Sequence, residues 1–160
     1  AFPLFIYKQT DALIYGLDVL AKVELSDQLN WVNRFSYIKS RDLITQVGIP
    51  YIPSHQLTTS INYGIDRILL TRNLNIEIGG KYVFRRSDLL ESQDFLASSY
   101  AYFLINAIIA FDFKVRQEFF NISAQAYNIL NNKYRDYLNR LRYFANEEGI
   151  NVKLALKWSF

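Results

Sequence analysis

Ile150-Asn151-Val152-Lys153-Leu154-Ala155-Leu156-Lys157-Trp158-Ser159-Phe160 closes the chain. Every even position is large and apolar, and the odd positions are Asn151, Lys153, Ala155, Lys157 and Ser159. A period of two means a strand with one apolar and one polar face. Strands of soluble proteins usually run to about five or six residues. This one has eleven, and a tilted strand needs about 9–11 to cross a bilayer. In that setting a one-residue slip of register would put Lys153 and Lys157 into lipid, at about 2–4 kcal/mol each near the midplane.

The same alternation recurs back along the chain. Leu13, Tyr15, Leu17, Val19, Ala21, Val23 and Leu25 oppose Asp18, Lys22 and Glu24. Leu29, Trp31, Phe35 and Tyr37 share a face that Asn33 interrupts, the weakest pattern of the set. Leu57, Thr59, Ile61, Tyr63 and Ile65 form the next face. Leu74, Ile76, Ile78, Gly80, Tyr82 and Phe84 form another, opposite Glu77, Lys81 and Arg85. Phe103 to Val115 gives the longest apolar face, against Asn106, Asp112 and Lys114. Phe120, Ile122, Ala124 and Ala126 precede the terminal strand. Polar turns are expected at 26–28, 67–71 and 116–118, and longer loops at 41–54, 86–98 and 128–149.

This spacing predicts seven long strands whose connections alternate short and long, with every short turn at the end where the chain stops. Short turns at one end, longer loops at the other and strands near ten residues are features of transmembrane barrels. Trp31, Tyr37, Tyr63, Tyr82, Phe84, Tyr102 and Trp158 gather near strand ends, where interfacial aromatic girdles belong. The fold class read from the sequence is therefore all-β, an antiparallel up-and-down transmembrane β-barrel. Seven strands do not complete one, because bacterial barrels have an even number of at least eight and an open edge would remain. The chain is expected to be the C-terminal part of a larger barrel, or to be completed by an oligomer. A soluble sandwich or lipocalin-like barrel is the alternative that also alternates.

Composition narrows the function classes. No segment reaches the roughly 18 apolar residues of a membrane helix; the greasiest, Tyr100 to Phe113, contains Asn106 and Asp112. A membrane location therefore requires a closed barrel. The chain has no cysteine, which excludes disulfides, thiolate metal sites and cysteine nucleophiles. A net charge of +3 without a run of like charges gives nucleic acid no support. Methionine is absent, including at position 1, so a processed product or a piece of something longer is expected. No phosphate loop, nucleophile elbow or telling carboxylate pair is present, so no catalytic residue, metal site or cofactor is expected. His55, the only histidine, reads as structural because a metal needs several ligands.

Tyr127-Asn-Ile-Leu-Asn-Asn-Lys-Tyr-Arg-Asp-Tyr137, Leu138-Asn-Arg-Leu-Arg-Tyr-Phe-Ala145, Gly149-Ile-Asn-Val152 and the terminal Phe160 resemble the C-terminus of TonB-dependent outer-membrane receptors. There an Asn-Leu-Phe-Asn-like turn precedes a Tyr-Arg-Asp loop, and a Gly-Arg-Asn-like segment leads into a last strand ending in Phe. Ile129-Leu130 stand at the Leu-Phe positions and Ile150 at the Arg. Tyr51-Ile-Pro-Ser54 and, more loosely, Tyr7 to Gly16 resemble other family segments.

The resemblance implies a 22-stranded barrel of which residues 1–160 are the last seven strands, with the plug domain and earlier strands absent from this sequence. It implies active import of a scarce ligand such as a ferric siderophore, haem, cobalamin or glycan, driven through the TonB system. The setting is the outer membrane of a Gram-negative bacterium, and the partners are the plug domain, the remaining strands, lipid and lipopolysaccharide. It also implies that Trp158 and Phe160 are read by the outer-membrane assembly machinery; plain interfacial anchoring is the simpler role.

Arg85, Arg86, Arg135, Arg140 and Arg142 fall at the inferred extracellular rim, where guanidinium forks suit an anionic ligand or lipopolysaccharide phosphates. Asp88, Glu91, Asp94, Asp136, Glu147 and Glu148 share those loops and largely cancel the charge. Asp18, Lys22, Glu24, Glu77, Lys81, Asp112, Lys114, Lys153 and Lys157 are expected to face the lumen. The competing functions are a small structural or adhesive outer-membrane barrel completed by oligomerisation, and a soluble β-barrel holding an apolar ligand.

Overall fold

A computed structural model describes residues 4, 6, 9–68, 71–90 and 93–159, with the Ser159 side chain excluded. Tyr7, Glu91 and Phe160, named above, lie outside them. Alternating apolar and polar residues give seven strands: β1 (Ala12–Ser26), β2 (Leu29–Asp42), β3 (Gln56–Ile68), β4 (Thr71–Val83), β5 (Tyr102–Val115), β6 (Glu118–Tyr127) and β7 (Asn151–Ser159). They form one antiparallel up-and-down sheet in sequence order. The sheet is not closed, since β1 and β7 are each paired on one side only.

Pairing register decides what the alternation means. Side chains opposite one another in an antiparallel pair share a face. Val152 pairs with Ala126, Ala126 with Ala107, Ala107 with Ile78, Ile78 with Ile61, Ile61 with Trp31 and Trp31 with Val23. An unbroken apolar row therefore crosses all seven strands. On the opposite face Lys153, Gln125, Ile108, Glu77, Asn62, Asn30 and Glu24 form the corresponding row. Among the described residues nothing covers the apolar face: Val152 is 61% exposed, Ile78 58%, Leu154 78% and Leu156 65%. The polar face holds short local contacts. Lys22 pairs with Glu24 at 3.1 Å, and the Ser36 hydroxyl donates to Asp18. Asn73 and Asn121 donate amides to the two Asp112 oxygens at 2.7 and 2.6 Å.

Several boundaries differ from those expected. The turn expected at 67–71 is shorter, because β3 runs to Ile68 and β4 starts at Thr71. The extra length is absorbed by a bulge between Arg72 and Asn75, where Asn73 takes φ 50°, a conformation asparagine tolerates better than most residues. β4 stops at Val83, leaving Phe84 and Arg85 outside it. β2, the weakest pattern, is fully formed because it is paired with β1 along its length and with β3 through Leu29–Ser36. Asn33 sits between Ala21 and Thr59 on the apolar face.

Candidate functional site

The compact part of the molecule lies where the long connections 43–55, 84–101 and 128–150 meet. Among the residues most withdrawn from solvent are Val83, Tyr102 and Leu104 at the adjoining strand ends, and Ser40, Arg86, Asn128, Tyr137, Arg142 and Tyr143. Val83, Tyr102 and Leu104 form a small cluster that Tyr134 covers, with the Tyr102 and Tyr134 rings 4.4 Å apart.

Two arginines staple the loops. Arg86 grips Asp88 through Nε and a terminal nitrogen at 2.9 and 2.8 Å and donates to the Ile52 carbonyl at 2.8 Å. Burial alone would raise the Asp88 pKa, but the Arg86 hydrogen bonds and charge outweigh it and hold it below the ordinary value. Arg142 pairs with Asp94, donates to the Ala97 carbonyl at 3.2 Å, and lies over the Tyr137 and Tyr143 rings at 4.9 and 4.8 Å. Tyr143 donates to the same Asp94 and shares a hydrogen bond with Tyr51. Burial, then the Asp94 and Tyr51 contacts, push its phenol pKa up. Loop 43–55 is tied in through the Tyr51 N–H donating to the Tyr137 hydroxyl at 3.3 Å and Gly48 N–H donating to the Asp88 carbonyl at 2.8 Å.

The last loop also seals the top of β5. Above Ala107, β5 has no β6 partner. Instead Ile129 N–H donates to the Ile105 carbonyl at 2.9 Å, and the Asn132 amide to that of Phe103 at 2.6 Å. The Asn128 side chain links Asn132 and the Glu148 carbonyl. The Asn-Ile-Leu-Asn turn is thus a cap on a strand edge, a role that motif spacing did not disclose.

Of the five arginines expected at a ligand rim, Arg86 and Arg142 are buried in this staple. Arg135 is half-buried and donates to the Asn146 side chain and the Arg142 carbonyl, both at 2.9 Å. Arg85 and Arg140 remain exposed, against the rings of Tyr100 and Tyr51 at 5.3 and 5.6 Å. His55 stacks on Tyr37 at 4.3 Å, and its Nδ1 accepts the Ile38 N–H at 3.3 Å. Trp158 stacks on Phe120 and donates to Glu118 at 3.2 Å. Among the described residues no group of His, Cys, Asp and Glu is placed to hold a metal, and no helix is long and apolar enough to cross a membrane, which says nothing of a β-barrel.

The class these observations define is an all-β protein built on an open, seven-stranded up-and-down sheet. Comparison with models of protein families, with curated proteins and with solved structures found no match.

Proposed function

We propose that this chain is the C-terminal portion of a transmembrane β-barrel of the TonB-dependent receptor type. Its task would be import of a scarce ligand across the outer membrane of a Gram-negative bacterium, by transport rather than catalysis. The observation that carries this reading is the exposed apolar row from Val23 to Val152, continuous across seven strands. A soluble sheet covers one face with a core, whereas this one leaves its greasier face bare.

Two largely aromatic rows bound that face. Phe35, Leu57, Tyr82 and Phe103 lie side by side toward the long loops. Phe113, Phe120 and Trp158 stack at the short-turn end. Phe103 and Phe113 are ten residues apart on β5, about 34 Å along a strand and about 26 Å along the membrane normal at a tilt near 40°. The apolar band of such barrels is about 25 Å tall. Within it the Trp31 indole donates to the Thr59 hydroxyl at 2.8 Å, so that pair brings its own partner into a medium that offers none.

The unpaired outer edges of β1 and β7 support completion by further strands, because lipid tolerates no open edge. In the family reading those strands and the plug complete the barrel and meet the polar face. Ligand contact falls to Arg85 and Arg140, the two of the five that are exposed, while Arg86, Arg135 and Arg142 are packed into the loops.

The test is to express the complete reading frame with a tag, fractionate the cells, and follow ligand uptake with and without the TonB system. Outer-membrane location, detergent-dependent solubility and energy-dependent uptake support the proposal; a protein soluble without detergent overturns it. The open edges also suit a small barrel closed by oligomerisation. That reading gains if the protein in membranes is an assembly of 160-residue chains with no plug.

A further inference from the structure

One carboxamide interrupts the apolar face of β2. Asn33 alternates with Trp31 and Phe35, and is flanked across the sheet by Ala21 of β1 and Thr59 of β3, with Gly80 of β4 beyond. This row of short side chains lies between two taller ones, with Phe35 and Tyr82 on the long-loop side and Trp31 and Ile61 on the other. Asn33 is half-buried, and among the described residues its amide makes no hydrogen bond. Ala21 and Gly80 offer it no polar side chain. The Thr59 hydroxyl opposite it accepts the Trp31 indole N–H at 2.8 Å.

Depth decides what this amide meets. Asn33 lies two residues inside Phe35, about 5 Å along the membrane normal for a strand tilted near 40°. That level falls within the hydrocarbon band bounded by the two rows described above. Hydrocarbon has no hydrogen-bonding group to offer, and polar side chains at such depth pair with other protein groups. An amide carries two N–H donors and an acceptor oxygen, so a second amide is a full complement to it.

Orientation selects the partner. Two copies of a barrel inserted in the same direction meet through an isologous contact, with the two-fold axis along the membrane normal. Such an axis keeps every residue at its own depth. Asn33 of one copy then faces Asn33 of the other at the same level, and each donates an N–H to the other's oxygen. A different membrane protein would have to present a matching group at that one depth. The short side chains of Ala21, Thr59 and Gly80 leave room for close approach along this row, as small residues do at contacts within membranes.

We infer that Asn33 marks a contact between two copies of this protein in the membrane plane, with reciprocal Asn33–Asn33 hydrogen bonds at its centre and Trp31 and Phe35 packed around them. The inference rests on the membrane reading above.

The test uses the complete protein. Reconstituted in liposomes, it is followed by single-molecule photobleaching as the protein-to-lipid ratio is varied. A hydrogen bond between membrane-embedded side chains is worth about threefold in an association constant, so losing two in Asn33→Leu raises the ratio at half-dimerisation about tenfold. Asn33→Gln, which keeps the amide, stays within about threefold. Residues 1–160 contain no cysteine. With any cysteine elsewhere in the reading frame replaced by serine, Asn33→Cys in cell envelopes cross-links to its own copy on mild oxidation, since a disulfide needs Cα atoms within about 7 Å. Leu154→Cys, on the same face of β7, does not. A protein monomeric at every ratio, a leucine variant that dimerises as well as the unaltered protein, equal losses in the leucine and glutamine variants, or cross-linking of Asn33→Cys only to a different protein overturns the inference. A protein that needs no detergent instead overturns the membrane reading, which is a separate result.

Discussion

The Arg142 guanidinium and the Asp94 carboxylate, 48 residues apart in sequence, form an ion pair whose side chains are 2% and 7% exposed. Breaking a buried pair leaves an uncompensated charge and costs about 3–5 kcal/mol. Arg142→Ala in the complete protein is therefore expected to loosen residues 93–100 and 134–144 together. Hydrogen exchange should report faster exchange in both segments with the strands unchanged. The double variant Arg142→Met with Asp94→Leu should recover much of the loss, since apolar replacement of a whole buried pair is often neutral. Unchanged protection in Arg142→Ala would remove the staple from the account.

His55 gives the loops a pH dependence with a definite sign. Burial lowers its pKa below the ordinary 6.5, the Arg86 and Lys39 charges add to this, and Asp88 partly opposes it. Its Nδ1 accepts the Ile38 N–H, which requires the unprotonated ring atom. The unfolded segment binds a proton at higher pH than the folded one, so folding is favoured above pH 6.5 and weakens as pH falls from there toward the folded pKa. Exchange at residues 36–56, corrected for intrinsic rates, should quicken between pH 7 and 5. His55→Gln should flatten that dependence, and an identical slope in the variant would exclude His55 as its origin.

If lipid meets the apolar face, the two faces of the sheet should respond unequally to charge. Leu154→Arg places a cation on the apolar face, at a cost of about 2–4 kcal/mol near a bilayer midplane. Ser123→Arg places one on the polar face beside Ala155 and should cost less than about 1 kcal/mol. Denaturant unfolding of the complete protein in lipid should separate the two. Equal losses would count against lipid as the medium on the apolar face.

Asn73 carries two roles that substitution can divide. Asn73→Gly keeps φ 50° accessible but removes the donor to Asp112, for about 1 kcal/mol. Asn73→Ala loses the donor and also strains a left-handed backbone, adding about 1–2 kcal/mol. Unfolding midpoints should fall in the order asparagine, glycine, alanine. A glycine variant as unstable as the alanine variant would mean that backbone conformation contributes nothing at the bulge.

Strand number, approximate bounds and the apolar face of each strand were legible because alternation is a local property. The Ile150–Phe160 segment shows this most plainly, with β7 formed over Asn151–Ser159. Alternation alone carries the strand on through Phe84 and Arg85, past the point where the β3–β4 pairing stops at Val83. The bulge at Asn73 escaped because it depends on the β5 partner, not on β4 alone. The rim arginines were identified as a group, yet nothing near Arg86 or Arg142 distinguishes them from Arg85 and Arg140. Their burial follows from contacts such as Arg142 with Asp94 and Arg86 with the Ile52 carbonyl, made across tens of residues.

By itself the sequence determined that this chain forms long two-faced strands joined by alternately short and long connections. A period of two fixes which side chains share a strand face whatever lies beside it. Only the tertiary structure decided that all seven apolar faces fall on one side, because one residue of slip in any pairing would have inverted a strand relative to its neighbour. It also decided which of the rim arginines are held in the loops, Arg86 and Arg142, and which, Arg85 and Arg140, stand exposed. Charge compensation depends on distances between segments remote in sequence, and no local pattern encodes those distances.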